Sequence, residues 1–335
     1  MHVGKSFRLS EFIFWSRRII YILIAISLVP VVLYDLAGQK WIAVPWTVVG
    51  LFGTATAFIV AFKNTQTYNR TVEAQQIWTA ILTSSRNWGL MARDLVKSKE
   101  AARDLVYRHF AWLTALRYAL REPRPWESTT LRANAEYSSL FRVPERETPL
   151  ASELKKYLAD DEVEPLLADS NRLTSLLARQ SKAVRDFVAR DEIPANCFME
   201  FEKAIKEFFD HQGKCERIKN FPYPRQYAVV SRFFVGFFCL LLPFGLLKEF
   251  DALNAFAPLW LNGHMVWFVI PFSVAVSWMY ASLEQVGQST ENPFEGNAND
   301  VPISQISRKI EVELMLLIGE PNPPALLQPQ NNILI

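Results

Sequence analysis

The sequence is short of the residues that catalysis and metal binding draw on. It has three cysteines and four histidines in 335 residues. Cys197, Cys215 and Cys239 are odd in number and follow no metal-ligand or disulfide spacing, which excludes a disulfide framework and suits a reducing compartment. His2, His109 and His264 are scattered, and only His211 and Cys215 stand i, i+4. Without further ligands at the right spacing, a solvated helix face accounts for that pair. An excess of one charge is also missing. The formal net charge is +2 and no basic stripe dominates a long segment, so no nucleic-acid partner is expected. "VGKS", Val3 to Ser6, ends like a phosphate-binding loop, but the glycine that the motif needs five places before Gly4 is not in the sequence. Asp160, Asp161, Glu162 and Glu164 form an acidic knot that reads as a solvated loop. No Ser/His/Asp or Cys/His arrangement can be argued, and no apolar run carries a mid-membrane carboxylate of the kind proton-coupled transporters use. Neither an enzyme nor a bound metal or other cofactor is expected.

What the chain does have is segregated apolar residue: half of it is apolar, yet a fifth is charged. A membrane helix needs about 20 mostly apolar residues. Four runs qualify: Ile19 to Ala37, Trp41 to Phe62, Tyr227 to Leu247 and Met265 to Leu283. Asp35 stands at the end of the first and Arg232 near an end of the third, where it can snorkel. The first run follows Arg17 and Arg18 and lacks a small-residue cleavage site, so it is expected to stay in the mature chain. Trp41, Trp46, Trp260, Trp267, Trp278 and Tyr280 lie toward span ends, where amphipathic rings favour the interface. Lys5, Arg8, Arg17, Arg18, Lys63, Arg70, Arg217, Lys219, Arg225, Arg308 and Lys309 flank the spans on one side; the short connections on the other hold only Lys40 and Lys248. That asymmetry puts both termini and the long middle in the cytoplasm of a multi-pass inner (plasma) membrane protein.

The middle repeats apolar residues every three or four positions, as in "TVEAQQIWTAILTSSRNWGLMARDLV", "AARDLVYRHFAWLTALRYALRE", "EPLLADSNRLTSLLARQSKAVRDFV" and "CFMEFEKAIKEFFDHQGKCERI". Each reads as an amphipathic helix, and Pro123 and Pro125 stop the second. "FPYPRQY" is a rigid elbow into the third span. The tail "PNPPALLQPQNNILI" is expected to be disordered or to lie along a neighbour. The resulting division is 1–62 for the N-terminus and first two spans, 63–226 for a helical cytoplasmic region, 227–283 for the third and fourth spans, and 284–335 for a loop, helix and tail. Pro30, Pro45, Pro243 and Pro271 interrupt spans, but no internal repeat relates them, as a secondary transporter would want. A membrane-anchored scaffold is a third class of reading.

The second run is the most informative. Thr54, Phe58 and Phe62 form one i, i+4 row, with Gly53, Ala57 and Ala61 beside it. Small residues at that spacing let membrane helices approach closely. A ring of such helices would aim the phenylalanines at its axis as a hydrophobic constriction. Below it Asn64, Thr65, Gln66 and Asn69 would line a water-filled chamber. Rings that face lipid or another helix fit the pattern equally well.

"FKNTQTYNRTVEAQQIWTAILTSSRNW" resembles the segment after the second span of the bestrophins, particularly the bacterial members. "CERIKNFPYPRQYA", "LLPFGL" and "ENPFEGNANDVPI" resemble further landmarks of that family in the same order, over about residues 10 to 320. The resemblance implies an all-α, homopentameric ion channel with four transmembrane helices per subunit and a large helical cytoplasmic region. By position the neck is Thr54, Phe58 and Phe62, where the family usually has three apolar residues. A cytoplasmic aperture aligns to Met199, with Ile193 and Phe198 as neighbours. Animal bestrophins follow Asn-Pro-Phe with an acidic run that clasps calcium. Here Asn292, Pro293 and Phe294 precede only Glu295 and Asp300, few carboxylates for a cation that takes six to eight oxygens. The likeness to bacterial members implies monovalent cations such as sodium; the animal members imply anions such as chloride. A phenyl ring offers its face to cations and its edge to anions, so the neck serves either.

Overall fold

The computed structural model describes residues 1–4, 8–128 and 138–335; Lys5, counted above among the flanking cations, lies outside them. Helices carry the fold: α1 (Leu9–Asp35), α2 (Trp46–Leu95), α3 (Lys99–Arg121), α4 (Pro144–Glu147), α5 (Leu150–Leu154), α6 (Asp160–Ala168), α7 (Arg172–Ala189), α8 (Phe198–Asn220), α9 (Arg225–Ala252), α10 (Val269–Ser289) and α11 (Ile303–Leu317). Among the described residues, β pairing is limited to isolated bridges of His2 and Gln330 with Ile333. The chain divides into two compact units, Ser6–Asn69 with Tyr223–Glu291, and Met1–Lys5 with Arg70–Pro222 and Asn292–Ile335.

The first unit holds the apolar helices. Four segments are long and apolar enough to cross a membrane: Leu9–Asp35, Lys40–Leu95, Arg225–Phe256 and Met265–Ser289. α1 and α9 run through Pro30 and Pro243, Pro45 precedes α2, and Pro271 sits in the first turn of α10, so none of these prolines breaks a span. In lipid, apolar helices gain little from hiding apolar surface against each other, and close contact at small residues and polar bonds hold them instead. A Cβ on Gly245 would lie 2.7 Å from Val49, so α9 and α2 touch there. Ser273 donates to Ser27 at 2.9 Å, and the Trp278 indole donates to Ser16 at 2.8 Å, both joining α10 to α1. The Tyr280 hydroxyl donates to the Gly53 carbonyl at 3.1 Å. Trp278 and Tyr280 were expected at an interface. Because α10 continues to Ser289, they stand inside the helix and spend their polar ends on neighbouring helices.

The second unit has a conventional core. α2 lacks Pro and Gly between Gly53 and Gly89, so it continues past Phe62 to Leu95. There Trp88 meets Phe201 and Phe208 edge to face at 5.4 and 5.7 Å. His109 is buried beside them with Nε2 on Ser85 Oγ at 2.9 Å, and burial lowers its pKa to about 3, so it is neutral. Ser98 caps α3, accepting from the Ala101 amide, and α3 ends at Arg121 before Pro123. The segment expected as one helix from Glu164 is two, α6 and α7, because Asn171 accepts from the Thr174 amide and starts a new one. The acidic knot is no solvated loop. Asp160, Asp161 and Glu162 form the first turn of α6, where carboxylates suit the helix dipole, and Glu162 takes both amino groups of Arg108 at 2.7 and 2.8 Å.

The tail also differs from expectation, since it packs on its own chain. Asn331 and Asn332 adopt positive φ of 49° and 61°, a turn that asparagine tolerates. It sends Ile333 into a cluster with Phe141, Val143, Ala298 and Ile335.

Candidate functional site

α2 has two opposed rows within the apolar unit. Thr54, Phe58, Phe62, Thr65, Gln66 and Asn69 are exposed, Phe58 to 73% and Phe62 to 54%. Phe62 leans on Tyr227 with ring centroids 6.3 Å apart, whereas Phe58 stands clear. The Thr54 and Thr65 hydroxyls donate back to the Gly50 and Ala61 carbonyls, each at 2.9 Å, which leaves their oxygen lone pairs directed outward. Beside this row runs an open apolar groove of about 630 Å³, walled by Ala57 and Ala61 on α2 and by Phe238, Leu242 and Val276. The small-residue row divides: Gly53 is taken by Phe238 and Tyr280 of its own chain, while Ala57 and Ala61 stay exposed.

The opposite row of α2 is closed. Val49, Thr56, Val60, Lys63 and Thr67 are all at 2% exposure or less. Lys63 donates to Glu284 of α10 at 2.5 Å, and the same carboxylate accepts from Ser231 of α9 at 2.5 Å and from Gln288 at 3.0 Å. Asn64, expected with the chamber wall, turns toward α10 instead, donating to the Leu283 carbonyl at 3.1 Å. A Cβ on Gly287 would meet it. Thr290 continues the seam by donating to Thr67 at 3.2 Å. Glu284 was missed because the apolar run stops at Leu283, one residue before it. The available signal was that the first charges after the second and fourth runs, Lys63 and Glu284, are of opposite sign.

In the other unit Met199 lies in the first turn of α8 and is 59% exposed, while Ile193 is fully buried and Phe198 half-buried. His211 and Cys215 do not lie on a solvated face. His211 bonds Ser84 of α2 at 3.0 Å, Cys215 is fully buried, and burial pushes its thiol well up. Ser84 also donates to Glu207 at 3.1 Å, so the acid holds the serine and not the imidazole, the reverse of a hydrolytic triad.

The loop after Asn292-Pro293-Phe294 is turned inward. Glu295 accepts from the Ser128 amide and hydroxyl at 2.8 and 2.5 Å and from Asn297. Asp300 accepts from the Gly296 and Asn297 amides at 2.6 and 3.0 Å and faces Arg121 at 3.6 Å. Arg121 donates to the Phe294 carbonyl at 3.0 Å and lies 3.8 Å from Glu145, which also binds Arg117 and Ser304. Burial, then the neighbouring Asp300 charge, pushes the Glu295 carboxyl above the usual carboxylate range. Burial works the same way on Glu145, but Arg117 and Arg121 hold it below that range.

The sequence profile of the bacterial/fungal bestrophin proteins matches residues 15–315. The chain belongs to that family. Bestrophins are ion channels, not enzymes, and with its four apolar helices this chain is a membrane protein. The voltage-dependent anion channel-forming protein YneE of Salmonella typhi is 22% identical over 312 residues, covering 93% of this chain and 88% of its own. A voltage-dependent anion channel-forming protein of Ralstonia nicotianae is 27% identical over 277 residues, 81% of this chain and 77% of its own. The crystal structure of a bacterial bestrophin homolog from Klebsiella pneumoniae superposes with a TM-score of 0.75 at 21% identity, over 90% of this chain and 98% of that one.

The calcium clasp of animal bestrophins does not fit this bestrophin's loop. A hard cation needs oxygen lone pairs converging on one point. The Glu295 and Asp300 oxygens are instead turned to amide and hydroxyl donors and to Arg121. Among the described residues no group of three or more His, Cys, Asp or Glu could hold a metal ion. Chelating calcium should therefore leave the current unchanged; a loss in chelator that micromolar calcium restores would mean that the loop rearranges into a clasp.

Proposed function

We propose that the chain is one subunit of a homopentameric passive channel in the inner (plasma) membrane, both termini cytoplasmic, passing small monovalent ions. The exposed row of α2 carries the reading: large apolar rings on an outward face, with hydroxyls on either side, in a member of an ion-channel family. Thr54, Phe58 and Phe62 form the neck, Thr65, Gln66 and Asn69 the chamber wall, and Met199 a second constriction. Exposed Ala57 and Ala61 suit close approach of neighbouring subunits. The cations that flank the spans, among them Arg17, Arg18, Arg217 and Arg225, support the orientation.

Two signs of selectivity have support. Outward lone pairs on Thr54 and Thr65 favour cations such as sodium. The relatives' printed names favour anions such as chloride. Purified protein in a planar bilayer should give unitary steps, and its reversal potential under a salt gradient reports the sign. Mass measurement in detergent should give five chains. Smooth carrier currents, silence, or a monomer at all concentrations would contradict the channel.

A further inference from the structure

The two rows of α2 raise the question of what fixes its rotation about its own axis. Around Phe58 the helix is apolar on every side: Ala57, Ile59, Val60 and Ala61 follow one another. In lipid, exchanging one such row for the next changes little, because lipid tails are as apolar as neighbouring side chains. Close packing at small residues, as of Val49 on Gly245 and Phe238 on Gly53, and polar contacts break the equivalence. The strongest polar contact is the one at Lys63, next to Phe62 and about 100° round the helix from it. From the pore reading above and this contact, we infer that Lys63, Glu284 and Ser231 are positioning residues that set α2 in rotation and so decide which side chains reach the neck. Lys63 and Glu284 are almost wholly buried at 2.5 Å, and Ser231 brings α9 to the same carboxylate. A buried ion pair is weak evidence for stability, but registry is its best-attested use. Asn64 on Leu283 and Thr67 with Thr290 extend the seam along α10. With the pair in place, Phe62 and Thr65 face outward; without it, Lys63 loses its carboxylate and the seam its charge-based lock.

The test reads rotation by thiol labelling of full-length protein in liposomes with a water-soluble, membrane-impermeant reagent. Thr65→Cys, on the exposed row, should label at least about tenfold faster than Thr67→Cys, which is buried, with the unsubstituted chain as the blank for its natural cysteines. Glu284→Gln should bring that ratio toward one. The swap Lys63→Glu/Glu284→Lys should restore it, and Ser231→Ala, which keeps the ion pair, should lower it in part. A structural role alone predicts lower thermal stability with the ratio unchanged. Assembled Glu284→Gln protein with the parental ratio would overturn the inference, as would an assembled swap with a collapsed one. Should neither assemble, Ser231→Ala decides, and an unchanged ratio there counts against it. Failure of Thr65→Cys to label in the parent would sink the pore wall instead; rotation is then read from Thr67→Cys alone, whose labelling must rise in Glu284→Gln.

Discussion

Truncating Phe58 and Phe62 together to alanine should raise ion flux by about tenfold or more, since each 1.36 kcal/mol taken from a rate-limiting barrier is a factor of ten. The barrier at such a neck comes from water that an ion sheds without receiving oxygens in return, and uncompensated desolvation costs several kcal/mol even after relaxation. Phe58 should account for more of the gain than Phe62. Its ring is the more exposed and meets no other ring among the described residues, whereas Phe62 leans on Tyr227 and its loss also loosens that contact. Thr54 already offers an oxygen, so Thr54→Ala should raise the barrier slightly. The control is Val60→Ala, on the buried row among Leu23, Val235 and Cys239, which should cost stability and add no flux. Assembled Phe58→Ala/Phe62→Ala protein that conducts like the parent would remove both rings from the proposed neck.

The sequence made the helices legible where one physical signal dominates. Length and apolarity mark spans regardless of neighbours, and the 3.6-residue repeat marks the amphipathic helices of the second unit. Thr54, Phe58 and Phe62 could be read as one row because i, i+4 spacing is local. Contacts between distant residues could not be read. Asn64 follows Phe62 by two and looks like chamber wall, yet its partner is a carbonyl 219 residues away. Lys63 looks like the start of a solvated stretch, and its burial depends on its bond to Glu284 on another helix. The tail looks too proline-rich to pack, and it packs through two asparagines whose left-handed turn carries no hydrophobic signal.

Replacing Arg121 by methionine should cost the second unit as much stability as truncating one of its buried aromatic residues. Arg121 is 3% exposed and holds three groups at once: the Phe294 carbonyl, Glu145 and Asp300. Glu145 keeps Arg117 when it goes, but among the described residues Asp300 loses its cation side chain and the Phe294 carbonyl its side-chain donor. Removing one partner of a buried pair costs about 3–5 kcal/mol, because the remaining charge is stranded. At 2–4 °C per kcal/mol for a unit of this size, the thermal transition of the assembled protein should fall by roughly 6–20 °C. Arg121→Lys should fall in between, since an ammonium cannot reach three acceptors with the fork of a guanidinium. Arg146→Met, which loses a bond to the Glu295 carbonyl from an exposed position, should cost less. The decisive measurement is the double change Arg121→Met/Asp300→Asn. Asparagine keeps an oxygen for the Gly296 and Asn297 amides and removes the stranded charge, so much of the loss should return. A double variant no more stable than Arg121→Met alone would mean that the arginine acts through the Phe294 carbonyl and its packing, and that the Asp300 charge is settled by other groups.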